Sequence, residues 1–271
     1  MSSTRPAAVA GMFYPGAPAA LAQEIRACFD DAVHDRGTAR TAWPKAMIVP
    51  HAGYIYSGPI AASAYERLKP GRDVIERVVL FGPAHRVAVR GLALPGVESF
   101  ATPLGTVPLD REAIAALDDL PYVGRSDAAH AHEHSLEVQL PFLQTVLGRF
   151  ALVPFAVGYA TGEQVAEVMN RLWGGPETIV LVSSDLSHYH PYDAATRIDR
   201  ATAETVLALS PTLDHDQACG ATPINGLLRC VAQRGLKPTL LDLRNSGDTA
   251  GDRSRVVGYG SFAFDPEAQH D

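Results

Sequence analysis

Met47-Ile48-Val49-Pro50-His51-Ala52-Gly53-Tyr54-Ile55-Tyr56-Ser57-Gly58 is the stretch on which the reading of the fold turns. An apolar run of strand length stops at Pro50, and a histidine follows at once. Residues 78–81, Val-Val-Leu-Phe, repeat the plan and lead into Gly82-Pro83-Ala84-His85. A third apolar run, residues 178–182, delivers Ser183-Ser184-Asp185-Leu186-Ser187-His188-Tyr189-His190. Continuous apolar strands are buried on both faces of a parallel sheet. In open parallel sheets, ligands sit just beyond the carboxyl ends of the strands. His51, His85, Asp185 and His188 are therefore expected to converge on one site.

Working outward, helices alternate with these strands. Leu21, Ile25, Cys28 and Phe29 fall at i, i+4, i+7 and i+8, one face of a helix, which makes Cys28 a core residue. The alanine-rich segment after Gly58 is expected to be helical with Pro59 in its first turn. Asp110 is placed to cap a helix over residues 113–117. Helices over residues 164–173 and 193–209 and strands over 151–157, 239–243 and 256–264 complete an α/β pattern around one mostly parallel sheet. The expectation is one domain over residues 1–271, with an irregular arm at 1–16 pinned by Phe13 and Tyr14, a polar loop at 35–44 and a short disordered tail at 266–271. The histidine cluster at residues 130–137 is not in the H-E-x-x-H order of zinc proteases. It is either a polar helix start or a contributor of His134 or Glu137 to the site.

Composition narrows the function classes. The 271 residues carry 23 Lys and Arg against 30 Asp and Glu, a net charge of −7, with no basic stripe for nucleic acid. No apolar run approaches the roughly 18 residues that span a bilayer, and no secretory leader is evident, so the cytoplasm is expected. Three cysteines without a C-x-x-C pair do not make a disulfide framework. Of these, Cys219 lies just ahead of a helix start, where exposed amides stabilise a thiolate, whereas Cys230 falls inside the helix. Gly258-Tyr259-Gly260 lacks the third glycine and the helix of a dinucleotide site. There is neither a Walker loop nor a G-x-S-x-G elbow, so neither NAD nor another nucleotide is expected.

Five motifs, Pro50-His51-Ala52-Gly53-Tyr54, Gly82-Pro83-Ala84-His85, residues 132–137, residues 183–188 and Cys219-Gly220-Ala221-Thr222-Pro223-Ile224, occur in the order and spacing of the Memo family, whose prokaryotic members are labelled AmmeMemoRadiSam system protein B. The chain resembles that family over nearly its whole length. The resemblance implies the fold of class III extradiol ring-cleaving dioxygenases and one metal ion, with His51, His85 and Cys219 as ligands. It also implies His188 as acid or base with Asp185 beside it, and companions of the radical-SAM and AMMECR classes. The dioxygenases use two histidines and a carboxylate, so a thiolate is a departure that alters metal preference. Two imidazoles and a thiolate suit iron or copper, with zinc also accommodated. Three functions fit: an oxygen-dependent oxidoreductase, a module that binds a peptide or protein in the same pocket, or a zinc hydrolase. In each, Tyr54, Tyr56, Tyr189, His134 and Glu137 are expected to shape the pocket for a small-molecule or peptide ligand.

Overall fold

The computed structural model describes residues 3–33 and 42–266. The expected loop at 35–44 and tail at 266–271 therefore lie almost wholly outside the described residues. Among these, nine strands form one sheet. Four parallel strands lie side by side at its centre, in the order Ala46–Val49, Thr178–Ser183, Arg77–Pro83 and Ala151–Val157. Nearly all their residues are buried, as a strand covered on both faces requires. The sheet's margins depart from the expected parallel pattern. Val256–Asp265 runs antiparallel to Ala46–Val49, and pairs in turn with Lys237–Asn245 and His188–His190. Leu92–Leu94 is antiparallel to Ala151–Val157 at the other side. The parallel core nevertheless sends His51, His85 and Asp185 from the same end of the sheet.

The helix Pro18–Asp30 buries Leu21, Ile25 and Cys28, as its periodicity predicted. It packs on the helix Tyr54–Tyr65 so closely that a Cβ on Gly58 would come within 2.5 Å of the Cys28 sulfur. The second helix starts earlier than expected. Gly53 precedes its first residue, and Pro59 lies inside it. A proline there forfeits one helical hydrogen bond, but glycine before it removes the Cβ that would clash with the pyrrolidine ring. Asp110 does cap a helix, accepting from the Ala113 amide, over Arg111–Ala115. No helix among the described residues is long and apolar enough to cross a membrane.

The arm is pinned, as expected. Thr4–Arg5 pairs in parallel with the strand Ser99–Thr102, and Val9 and Tyr14 are buried. One carboxylate gathers the rest. Glu137 accepts from Arg5 Nη1 at 2.6 Å, from the amides of Ala8 and Val9 at 2.8 and 3.0 Å, and from the Tyr14 hydroxyl at 2.5 Å. Its expected place in the pocket is thus corrected: Glu137 is fully buried and fastens the arm, because that is where a buried carboxylate finds four donors.

Candidate metal centre

The backbone after each central strand bends over the sheet's end, and hydrogen bonds then fix which nitrogen each imidazole presents. Gln139 donates from Nε2 to the Pro50 carbonyl (2.9 Å), which accepts only, so its amide orientation is set, and the same nitrogen donates to Ser183 Oγ (2.8 Å). Ser183 spends its single proton on the Ser135 carbonyl (2.6 Å). Its oxygen must therefore accept from His51 Nδ1, 2.9 Å away. His51 is left with a bare Nε2 facing outward. Glu133 does the same for His85: one oxygen accepts from the His85 amide at 2.6 Å and the other from Nδ1 at 2.9 Å. Burial alone would raise the Glu133 carboxyl, but these bonds and the Ser135 amide outweigh it and hold it down to about 2. A charged carboxylate accepts, so His85 Nδ1 is the protonated nitrogen and Nε2 is free.

His134 completes the group. Its ring stacks on that of His85 at 4.7 Å and stands edge-on to that of His51 at 5.3 Å. Its Nδ1 is buried without a hydrogen-bond partner, 3.4 Å from Glu133 Oε1. One ligand nitrogen from each of His51, His85 and His134 lies within 4.8 Å of the other two, and among the described residues no other such group is found. Burial first, then neighbouring histidines, push the His51 imidazole well below its usual range. Burial likewise brings His134 to about 4. Clustered imidazole nitrogens, with His51 and His134 kept neutral by burial, are what a metal requires, and carboxylate or hydroxyl partners on the far nitrogen are the usual support of such ligands. The donor set therefore fits a metal ion.

Cys219 adjoins this group. Its sulfur is 3.4 Å from His51 Nε2, but it does not come within 4.8 Å of all three imidazole nitrogens. It sits two residues before the helix Ala221–Gln233, yet the expected stabilisation of a free thiolate is reversed. Burial, followed by the Asp185 charge, pushes the thiol up to about 12, because lost hydration outweighs the helix amides. Asp185 accepts from the His51 amide at 2.7 Å, with its other oxygen 4.0 Å from His51 Nε2. Burial raises its carboxyl to about 7 against the pull of the His51 amide. His188 is half-buried at the rim; burial lowers its imidazole while the Leu186 carbonyl pulls the other way.

These groups open into a cleft of about 750 Å³, of a size that holds a small molecule. Tyr56, His188, Tyr189, Asp185 and the three histidines line it, and Cys219 does not. Tyr54 does not. It is buried, and its hydroxyl donates to the Val138 carbonyl at 2.7 Å. Residues two apart on a helix point nearly opposite ways, so Tyr56 takes the cleft and Tyr54 the core. Sequence reading also missed Glu133, Ser183 and Gln139, which orient the imidazoles, and Phe13, Arg86 and Arg255, which line the cleft. Glu133 and Ser183 lie inside motifs already singled out; Gln139 carries no local signal.

The other cluster histidines are elsewhere. His132 is exposed, and His130 is buried with Nε2 2.8 Å from the Ala93 carbonyl and Nδ1 unpartnered. Burial lowers His130 to about 4 from an ordinary 6.5. A folded value below the unfolded one means that the unfolded chain takes the proton first, so stability falls as pH drops from 6.5 towards 4. At pH 4.5 this single group is expected to cost about 2–3 kcal/mol. Urea unfolding of chelator-treated protein at pH 7 and 4.5 checks it: His130→Gln should lose less stability than wild type by that amount, and an equal loss refutes it.

Comparison with known proteins agrees with this architecture. A profile of the family described as Memo-like protein matches residues 5–263. A MEMO1 family protein of Ignicoccus hospitalis is 37% identical, the match covering 96% of this chain and 98% of the relative. One from Sulfolobus acidocaldarius is 35% identical over 95% of this chain and 98% of that protein. Among solved structures, an uncharacterized protein from Escherichia coli K12 shares the fold with a TM-score of 0.50 at 14% identity, covering 82% of this chain and 99% of its own. With the profile match running almost from end to end and relatives at 35–37% identity over nearly the whole chain, the chain belongs to the Memo family.

Proposed function

We propose that this protein is a mononuclear metal-dependent oxidoreductase that uses iron or copper and molecular oxygen on a small molecule held in the cleft. The observation that carries this reading is the convergence of His51, His85 and His134, with the oxidisable Cys219 sulfur 3.4 Å from His51. Imidazole suits iron and copper alike, and three protein ligands leave room for a substrate. His51 and His85 would hold the ion; His134 by position, or Cys219 by family resemblance, would be the third ligand. The ion would supply one-electron chemistry. Ser183 and Glu133 keep both anchoring imidazoles in the ligating tautomer. His188, at the rim, would take or return a proton from the bound molecule, and Tyr56 and Tyr189 would cover its faces. Any radical-SAM or AMMECR-type companion would act on the same pathway through its own chemistry.

The three-histidine set also favours a second reading. Three histidines with an open position form a known catalytic zinc set, and zinc would supply Lewis acidity for hydrolysis. Elemental analysis of protein purified without chelators, with absorption spectra of wild type, His134→Ala and Cys219→Ala, separates the two. The expected result is near one equivalent of iron or copper in wild type. A thiolate charge-transfer band that vanishes in Cys219→Ala makes that residue the third ligand, whereas metal lost only in His134→Ala gives the role to the histidine. Zinc alone, with activity indifferent to oxygen, would replace the redox reading.

A further inference from the structure

Charge and shape at the cleft mouth select among possible substrates. The protein as a whole carries −7, yet two guanidinium groups, Arg86 and Arg255, line this one cleft, and neither forms an ion pair among the described residues. Two carboxylates share the lining, each held by its own hydrogen bonds and neither paired with a guanidinium among the described residues. Asp252 accepts from the amide and hydroxyl of Ser254 within its own turn, at 2.7 and 2.5 Å, and Asp185 accepts from the His51 amide. The positive charge of Arg86 is felt as far in as His134. The Arg255 guanidinium lies 5.1 Å from the centroid of the Tyr189 ring.

Tyr189 itself is held in an uncommon way. Its φ is +62°, in the left-handed region that a residue with a bulky side chain adopts only at an energetic cost. Such positions cluster at ligand sites, where the surroundings enforce them. Here the result is an aromatic ring 62% exposed at the cleft mouth, between two histidines of a short edge strand. Phe13 and Tyr56 add two further rings to the lining. Flat apolar walls and unpaired guanidinium forks are the two halves of a site for a planar anion, since the fork matches a carboxylate with two parallel hydrogen bonds.

We propose that the cleft binds a planar, conjugated carboxylate, with Arg86 and Arg255 holding the carboxylate and Tyr189 stacking on the ring. This substrate class rests on the reading of the cleft as the reactive site, but its binding does not require the metal. The test is therefore calorimetric titration of chelator-treated full-length protein with benzoate, with benzamide as the uncharged isostere and inorganic phosphate as a non-planar anion. Benzoate is expected to bind, and benzamide to bind roughly tenfold more weakly or worse, the scale of one lost charge-assisted contact. Arg86→Gln and Arg255→Gln should each weaken benzoate by about the same factor. Arg149→Gln, an exposed arginine outside the cleft, should change nothing. Equal binding of benzoate and benzamide, wild-type affinity in both cleft variants, or phosphate binding in place of benzoate would each overturn the proposal. Metal uptake is measured on the same preparations. Uptake without benzoate binding removes the substrate class alone, and benzoate binding without uptake removes the metal reading alone.

Discussion

Glu137→Ala is expected to destabilise the protein by about 3–5 kcal/mol, the cost of leaving a buried charge without its partner. Arg5 is 4% exposed and Glu137 not at all. Without the carboxylate, the guanidinium keeps the carbonyls of His130 and Glu133, a long contact to that of Pro6 and the face of Phe100, at 4.9 Å from its centroid. The amides of Ala8 and Val9 and the hydroxyl of Tyr14 lose their acceptor at the same time. Replacing both charges, as in Arg5→Met with Glu137→Leu, should recover part of the loss and not all of it, because those three donors stay unsatisfied. The effect reaches the three-histidine group. The arm carries Phe13, whose ring lies 4.7 Å from that of His134 and whose carbonyl accepts from the Tyr54 amide at 2.8 Å. Urea unfolding of the single and double variants checks the energies. A loss below about 1 kcal/mol in Glu137→Ala, the size of an exposed pair, would show that the clasp is not what fastens the arm.

That carboxylate also shows where sequence reading stops. The parallel core was legible because burial on both faces leaves a chemical trace in each strand, and the end of a parallel strand is where a ligand sits. His51, His85, Asp185 and His188 followed from that alone. Glu137 did not, because its partners lie more than a hundred residues away in the chain: Arg5 is 132 positions distant. The histidine cluster stayed open between two readings for a local reason. His130 and His134 are four apart and would share a face on one continuous helix. Instead the helix stops at Ala131 and restarts at His134, with Glu133 accepting from the Ser135 amide between the two segments. That break turns His130 towards Ala93 and His134 towards the cleft. Tyr54 was misassigned through the helix start, since a helix that begins at Tyr54 turns that side chain to the core and leaves Tyr56 to the cleft. Cys219 lies beside His51, and its acidity depends on burial that spacing does not reveal.

The same geometry ranks the residues at the candidate metal centre. His51→Ala is expected to abolish metal binding outright, because its Nε2 is the nitrogen close both to the other imidazoles and to the Cys219 sulfur. Whichever residue serves as third ligand, His51 is in the set. Glu133→Gln tests the support behind the ligands and leaves the ligands themselves in place. Glutamine keeps one oxygen for the His85 amide or for Nδ1, not both, and presents a donor where the other oxygen was. Outer partners of ligating histidines are commonly worth 10–100-fold in metal affinity. Glu133→Gln should therefore weaken binding by about that factor, with His85 free to rotate or to change tautomer, while Ser183→Ala should do the same to His51. Competition against a chelator of known affinity, run anaerobically so that Cys219 stays reduced, measures all three. If Glu133→Gln binds metal as wild type does, His85 is not oriented by that carboxylate. If His51→Ala does so, the convergence of the three imidazoles is not a metal site, and the oxidoreductase reading loses the observation on which it stands.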